Sequence, residues 1–312
     1  MFPFLTKPID RLVINLAAAR LTKEPDFAAH AELAEALLES KVFFGSEVVG
    51  VPDLRFTSLE DFEFASPFES PWTSNNTVRG KLFPAGADWR SKPSVILIHG
   101  YNADPAYRGV MRGWANRLAM RGVNGVLMEL PFHLGRRPRG REDVRDFLSC
   151  DLLAITQATH QSLLDLRALI AWLKANGAPK VGLWGNSLGG WLEGLLVCHS
   201  DAVDCAAFLT PVSRMDRALV EIDFAALVRR AVEENEFDVS RLNLEIYEPR
   251  LPAEQMLLVV GRDDQFVPLE TMQHLSEIWG GVETAVLPHG HISILMSEEA
   301  ADRTANWFWD RM

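Results

Sequence analysis

From residue 93 onward, short and nearly all-apolar runs recur along the chain: Val95–Ile98, Val126–Leu130, Val181–Trp184, Ala206–Leu209, Met256–Val260 and Val282–Leu287. Strands read this way when helices cover both faces of a parallel sheet, since neither face then needs polar positions. Between the runs, segments at 107–121, 151–176, 188–199, 217–235 and 268–279 read as helices. This alternation of strand and crossover helix predicts an α/β fold with a mostly parallel central sheet and helices on both faces. The link between the 206–209 and 256–260 strands is long and carries charged helical sequence from Arg217 to Arg250. A small helical cap inserted at about 213–254 is expected there, because long structureless loops are rare inside compact domains.

Before residue 93 the pattern differs. Residues 8–40 read as helical, with Ile9, Leu12, Leu16, Leu33, Ala36 and Leu37 near helical spacing and a break at Lys23-Glu24-Pro25-Asp26. Residues 45–92 are rich in Pro, Ser, Phe and Trp. Their alternating stretches, Asp61–Phe64 and Thr77–Leu82, read as leading antiparallel strands. The expected organisation is an N-terminal helical extension over 1–60, packed on a core of 61–312. No internal repeat points to a solenoid.

Composition narrows the function. The 312 residues include 31 Lys plus Arg against 42 Asp plus Glu, a formal charge of −11. That balance argues against a general nucleic-acid binder, which needs a basic surface to neutralise phosphates. No stretch reaches the roughly 20 apolar residues that span a bilayer. The 3 cysteines, Cys150, Cys198 and Cys205, form no CxxC pair, in keeping with a reducing compartment. A cytoplasmic protein without membrane association is expected, and Leu12–Ala19 lacks a convincing cleavage site after it. Oligomeric state is not legible.

The chemistry is carried by Val181-Gly182-Leu183-Trp184-Gly185-Asn186-Ser187-Leu188-Gly189-Gly190-Trp191, a G-x-S-x-G between a buried strand and an apolar helix. In that setting the serine sits on a tight strand-to-helix turn, where Gly185 and Gly189 permit close backbone approach. The turn pushes the Ser187 hydroxyl above the sheet and aims the first helical N–H groups, Leu188 among them, at a reacting carbonyl. A serine hydroxyl is a weak nucleophile unless a base takes its proton, and that base needs a carboxylate to orient it. Both belong at the carboxyl ends of later strands. There lie Gly261-Arg262-Asp263-Asp264-Gln265-Phe266-Val267-Pro268 and Pro288-His289-Gly290-His291-Ile292-Ser293. The order Ser, acid, His is the one this strand–turn–helix architecture uses.

On these residues the chain resembles the α/β-hydrolase superfamily over roughly 60–312. The family's G-x-x-D-x-x-V-P signature matches Gly261, Asp264, Val267 and Pro268, which implies Asp264 as the acid, with Asp263 as alternative. Its G-H histidine matches Gly290-His291, which implies His291 as the base, with His289 as alternative. Its H-G turn matches His99-Gly100-Tyr101-Asn102, implying the Tyr101 backbone N–H as second oxyanion donor beside Leu188, or else Asn102. Leu275–Trp279 through His291–Ser293 resembles the branch of α/β-hydrolase domain containing protein eighteen. Together these imply a serine hydrolase acting on a small-molecule carboxylic ester through an acyl-enzyme, with no cofactor and no metal. A lipid deacylase is an alternative. A C–C or amide hydrolase is another, because Asn186 stands where many esterases carry His, Glu or Asp. A non-catalytic binding module fits less well, since Ser, Asp and His are all present.

Asn102, Asn186 and Arg137 are the remaining candidate substrate contacts. Arg136, Arg137, Arg139, Arg141 and Arg145 follow Leu130-Pro131-Phe132-His133. Their functional reading is a grip on an anionic substrate group; the plainer reading is a solvated loop paired with Glu142, Asp143 and Asp146. His133 and His99 read as loop and turn residues, and Trp184 and Trp191 as packing. Cys198 and Cys205 read as buried small hydrophobes. His30, His160, His199 and His274 show no metal-ligand spacing.

Overall fold

The computed structural model describes residues 28–40, 42–44, 49–102, 104, 107–138, 151–221 and 226–312. Its centre is a nine-stranded sheet in the order β1-β2-β3-β5-β4-β6-β7-β8-β9. Strands β1 (Arg55–Phe56), β2 (Asp61–Ala65) and β3 (Thr77–Phe83) run antiparallel to one another, and β3 lies antiparallel on β5 (Asn124–Met128). From β5 through β4 (Ser94–Ile98), β6 (Val181–Asn186), β7 (Cys205–Leu209), β8 (Met256–Gly261) and β9 (Glu283–Leu287), every pairing is parallel.

The apolar runs are explained by two separate cores. Along β4, Ile96 and Ile98 face one cluster, while Val95 and Leu97 face the other, as the two-residue period of a strand requires. The first core receives α3 (Leu152–Ala175) and α4 (Leu188–His199), through Leu163, Leu166, Leu192 and Leu195. The second receives α2 (Arg112–Ala119) and α9 (Glu298–Arg311), through Trp114, Leu118, Ala305 and Phe308. Asp151 caps α3 by accepting from the Ala154 N–H, and Ser297 caps α9 by accepting from that of Ala300.

Several local expectations shift. Of the helical reading over 8–40, the described part is α1 (Ala28–Glu39), and residues 8–27 lie outside the described residues. The buried stripe of α1 is Ala31, Ala34 and Leu38, whereas Leu33 is 56% exposed. Small alanines on that face let α1 approach α3 closely, so the larger Leu33 turns outward. The 107–121 segment begins as a wide π-type turn, Tyr107–Met111, which buries both of its ends before α2 starts. Between β7 and β8 the chain forms α5 (Met215–Glu221), α6 (Ala226–Glu234) and the 3-10 turns Val239–Leu242 and Leu244–Ile246. The helix α7 (Leu269–Ile278) is where the pattern puts it. The short α8 (His291–Leu295) and α9 at the end of the chain have no counterpart in that pattern. No helix among the described residues is long and apolar enough to cross a membrane.

Strand order sets the location of the site. The chain steps from β4 outward to β5, then returns to β6 on the other side of β4. The loops leaving β4 and β6 therefore part to opposite sides, and a crevice opens at their carboxyl ends. Residues 99–102 and Ser187 border that crevice.

Candidate active site

Ser187 occupies the junction of β6 and α4 with φ 53° and ψ −116°. This left-handed backbone is costly for a residue with a Cβ, and it persists only where the surroundings enforce it. Here the Ser187 N–H donates to Leu209 O, and Trp191 N donates to Ser187 O, both at 3.0 Å. A Cβ on Gly189 would fall onto the carbonyl oxygens of Ile98 and His99, and one on Gly185 would sit 2.5 Å from Gly189 O. Both glycines are thus required by close approach. The first N–H groups of α4, that of Leu188 included, have no carbonyl partner within the helix.

A hydrogen-bonded chain runs inward from this serine. His291 Nε2 lies 2.9 Å from Ser187 Oγ, and His291 Nδ1 lies 2.8 Å from Asp264 Oδ2. Asp264 Oδ1 accepts from the backbone N–H groups of Phe266 and Val267, each at 2.8 Å. That clamp fixes the carboxylate so that its other oxygen faces the imidazole. The partners assign the tautomer: Nδ1 carries the proton toward Asp264, leaving Nε2 to accept from the serine hydroxyl. Asp264 and His291 are buried, and the Phe266 ring stacks on the imidazole at 4.7 Å.

The alternatives lie elsewhere. Asp263 points toward Arg262, 3.6 Å away. His289 contributes its backbone oxygen to the Asp263 N–H, and burial lowers its imidazole pKa. The described geometry joins Ser187 to His291 and Asp264.

On the other side of Ser187 stands the loop His99–Asn102. A Cβ on Gly100 would meet Asn186 Nδ2 at 2.8 Å and Ser187 Cβ at 3.3 Å, so loop backbone and elbow are in contact. Two buried histidines hold this loop. His99 Nδ1 donates to Gly100 O at 2.8 Å, while its Nε2 accepts from Leu130 N at 3.1 Å. His133 Nδ1 donates to Pro131 O at 2.8 Å, while its Nε2 accepts from Asn102 N at 3.3 Å. Burial pushes the His99 imidazole down to about 4 and that of His133 well below its ordinary value. Both are therefore neutral near pH 7, as a ring nitrogen that accepts a hydrogen bond must be. The Asn102 N–H is committed to His133, and Asn102 itself has φ 52°.

The arginine cluster divides in a way neither expectation covered. Arg136 is fully buried. Its Nη2 is 2.8 Å from Asp165 Oδ2, its Nη1 donates to Glu129 O at 2.9 Å, and Nη2 also donates to Asn75 O. It is neither solvated nor open to a ligand. Arg137 is half-buried and donates from Nη2 to Asp104 at 2.9 Å. Arg139, Arg141 and Arg145 lie outside the described residues, as do Cys150 and the acidic residues at 142, 143 and 146.

One residue escaped the sequence reading. Glu193 on α4 is fully buried, and its Oε2 accepts from Gly185 N at 2.6 Å, directly behind the elbow. Burial raises its carboxyl well above the usual range, which favours the protonated form. The signal was present: a single acid inside the apolar helix Leu188–His199. Cys198 and Cys205 are buried free thiols. Among the described residues no group of His, Cys, Asp or Glu is arranged to hold a metal ion.

Comparison with known proteins bears on this arrangement. The family model described as alpha/beta hydrolase domain containing 18 matches residues 53–215 and 225–305. An uncharacterized protein of Mycobacterium tuberculosis is 27% identical over 222 residues, covering 66% of this chain and 51% of its own length. The chain thus spans about half the length of the curated relatives it matches. The Pyrococcus furiosus esterase Pf2001 superposes with a TM-score of 0.57 at 21% identity, covering 85% of this chain and 98% of that one. Est1E of Butyrivibrio proteoclasticus, in its ferulic acid complex, gives 0.54 at 15% identity, covering 75% and 95%. At these identities the likeness is one of fold.

Proposed function

We propose, from the premise that the chain belongs to the alpha/beta hydrolase domain containing 18 family, that it is a serine hydrolase cleaving carboxylic esters of small molecules. The observation that carries this reading is the unbroken chain from Ser187 Oγ through His291 to Asp264, at 2.9 and 2.8 Å, with the serine held at positive φ.

In this mechanism the Ser187 oxygen attacks the acyl carbon while its proton passes to His291 Nε2. Asp264 stabilises the imidazolium through Nδ1–H. Negative charge on the former carbonyl oxygen is met by the backbone N–H groups of Leu188 and Tyr101, each donor contributing about 3 kcal/mol to the barrier reduction. His291 returns its proton to the leaving alkoxide as the C–O bond breaks. Water then attacks the acyl-serine, giving one proton to His291; collapse releases the acid, and the proton returns to Ser187. Asn102 and Asn186 border the loop and the elbow and are assigned to the rim of the substrate site. Arg137, bonded to Asp104, is assigned to the same rim.

A fluorophosphonate probe tests the reading. Covalent labelling of the wild type, lost in Ser187→Ala with the fold retained, is expected. A folded wild type that resists labelling overturns it.

A further inference from the structure

The bond that ties Glu193 to the elbow closes a ring through the backbone. From Gly185 the chain runs through Asn186 and Ser187 into α4 and reaches Glu193, whose Oε2 accepts from Gly185 N at 2.6 Å. Ser187 is thus enclosed between a strand end and a helix start that one side chain holds together. The ring is tight. A Cβ on Gly185 would lie 2.5 Å from Glu193 Oε2 and 2.5 Å from Gly189 O, so strand end, acid and first helical turn are in close contact.

Packing alone does not account for an acid at position 193. The residue is fully buried on a helix whose neighbouring positions are Leu192, Leu195 and Leu196. Its second oxygen, Oε1, is buried and closes no hydrogen bond among the described residues, although the Ala207 N–H of β7 also favours the charged form. A half-satisfied buried carboxyl costs free energy that an apolar side chain of similar length would avoid. What the acid supplies, and leucine cannot, is an acceptor for the Gly185 N–H.

That acceptor sits where the backbone is most strained. Ser187 has φ 53°, a conformation that persists only when its surroundings over-determine it. The bonds from Ser187 N to Leu209 O and from Trp191 N to Ser187 O hold the residue itself. The Glu193 bond holds the strand before it against the helix after it. The angle between those two elements decides where Ser187 Oγ stands relative to His291 Nε2, 2.9 Å away on a separate loop. We propose that Glu193 is a positioning residue, a strut that fixes the elbow angle so that Ser187 Oγ meets His291 in hydrogen-bonding line. It acts through Gly185 from behind the elbow, and the proposal rests on the serine hydrolase reading above. A displaced nucleophile raises the barrier to attack while leaving the substrate contacts in place, so the effect falls on kcat and not on KM.

The experiment measures kcat and KM for p-nitrophenyl butyrate, per site titrated to completion with the fluorophosphonate, so that unfolded molecules do not count. Glu193→Met keeps the side-chain length and removes the acceptor. Its kcat should fall by about 10²-fold, with KM within about twofold of wild type. Glu193→Gln keeps a carbonyl oxygen at the same reach and should recover kcat to within about fivefold of wild type. The labelling rate should follow kcat across the series, because it reads attack by Ser187 directly. Leu38→Ala, on the helix α1 that packs against α3, is the stability control. It should lower the melting temperature by opening a cavity and leave kcat per titrated site unchanged. Should Glu193→Met yield no folded protein, Glu193→Asp decides: drawing the carboxyl back by one methylene should cost about tenfold in kcat at unchanged KM. Unchanged kcat in a folded, labelled Met or Asp variant, a loss carried by KM, or a Glu193→Gln variant slowed by about 10²-fold overturns the positioning role and leaves the serine hydrolase standing. Absence of labelling in wild type instead removes the hydrolase reading, and this inference with it.

Discussion

The turn after β6 and the turn after β5 leave the same sheet at the same edge, and both force side-chain-bearing residues to positive φ: Ser187 in one, Phe132 and Leu134 in the other. Both also hold ionisable groups in hydrogen-bonding contact. After β5, the Arg136–Asp165 pair is sealed: both side chains are fully buried, Ser66 Oγ donates to Asp165 Oδ1 at 2.6 Å, and Arg136 reaches backbone carbonyls. After β6, the chain from Asp264 through His291 ends on a half-buried serine oxygen at the crevice. Strain and buried charge are therefore common to both turns. What separates a reactive site from a brace is whether the last atom of the network can be reached.

The sharpest way to break this comparison is to remove the reachable end. Ser187→Ala and His291→Ala should each lower esterase turnover by about 10⁴-fold or more, with thermal melts close to wild type. Activity surviving in His291→Ala but lost in His289→Ala would transfer the base to the neighbouring histidine. Next in size is the sealed pair. Arg136→Ala should destabilise the fold by about 3–5 kcal/mol, because Asp165 would lose its counter-charge in the interior. Denaturant unfolding measures this, and a changed preference for anionic esters at unchanged stability would make the turn a second binding site.

A smaller effect is expected at the hinge between the two turns. His133 lies after β5 yet holds Asn102 beside the elbow. His133→Phe should lower kcat by about 10²-fold, the scale of one misplaced oxyanion donor, with KM little changed; a change confined to KM would assign His133 to substrate binding. Smallest is the effect of Glu193→Gln. An acid kept protonated by burial takes up a proton on folding once pH exceeds its unfolded value near 4.5, so its contribution to stability declines as pH rises. Glu193→Gln lacks that proton uptake. Its stability relative to wild type should therefore improve by about 1 kcal/mol between about pH 5 and pH 6. A gap independent of pH would mean that Glu193 is ionised in the folded protein.

Much of the site was legible because its parts are local. The apolar runs, the G-x-S-x-G turn and the acid and histidine after later strands each depend on neighbours within a few residues. Those neighbours mark Ser187, Asp264 and His291 as candidates. Period alone could not choose between Asp263 and Asp264, or between His289 and His291, because adjacent loop residues share the same surroundings in the chain. In the fold, the N–H groups of Phe266 and Val267 turn the Asp264 carboxylate toward the His291 imidazole.

By itself, then, the order of residues determined the sheet, its covering helices and the segments that meet at its carboxyl edge. Burial period and turn chemistry are written into consecutive positions, so they need no partner from afar. Tertiary structure alone decided that Arg136 is a sealed brace, that Leu33 faces outward, that Glu193 is buried behind the elbow, and that an apolar cavity borders Leu188. Each of these depends on which distant surface packs against a side chain. Such packing sets local polarity and access, which a one-dimensional pattern does not contain.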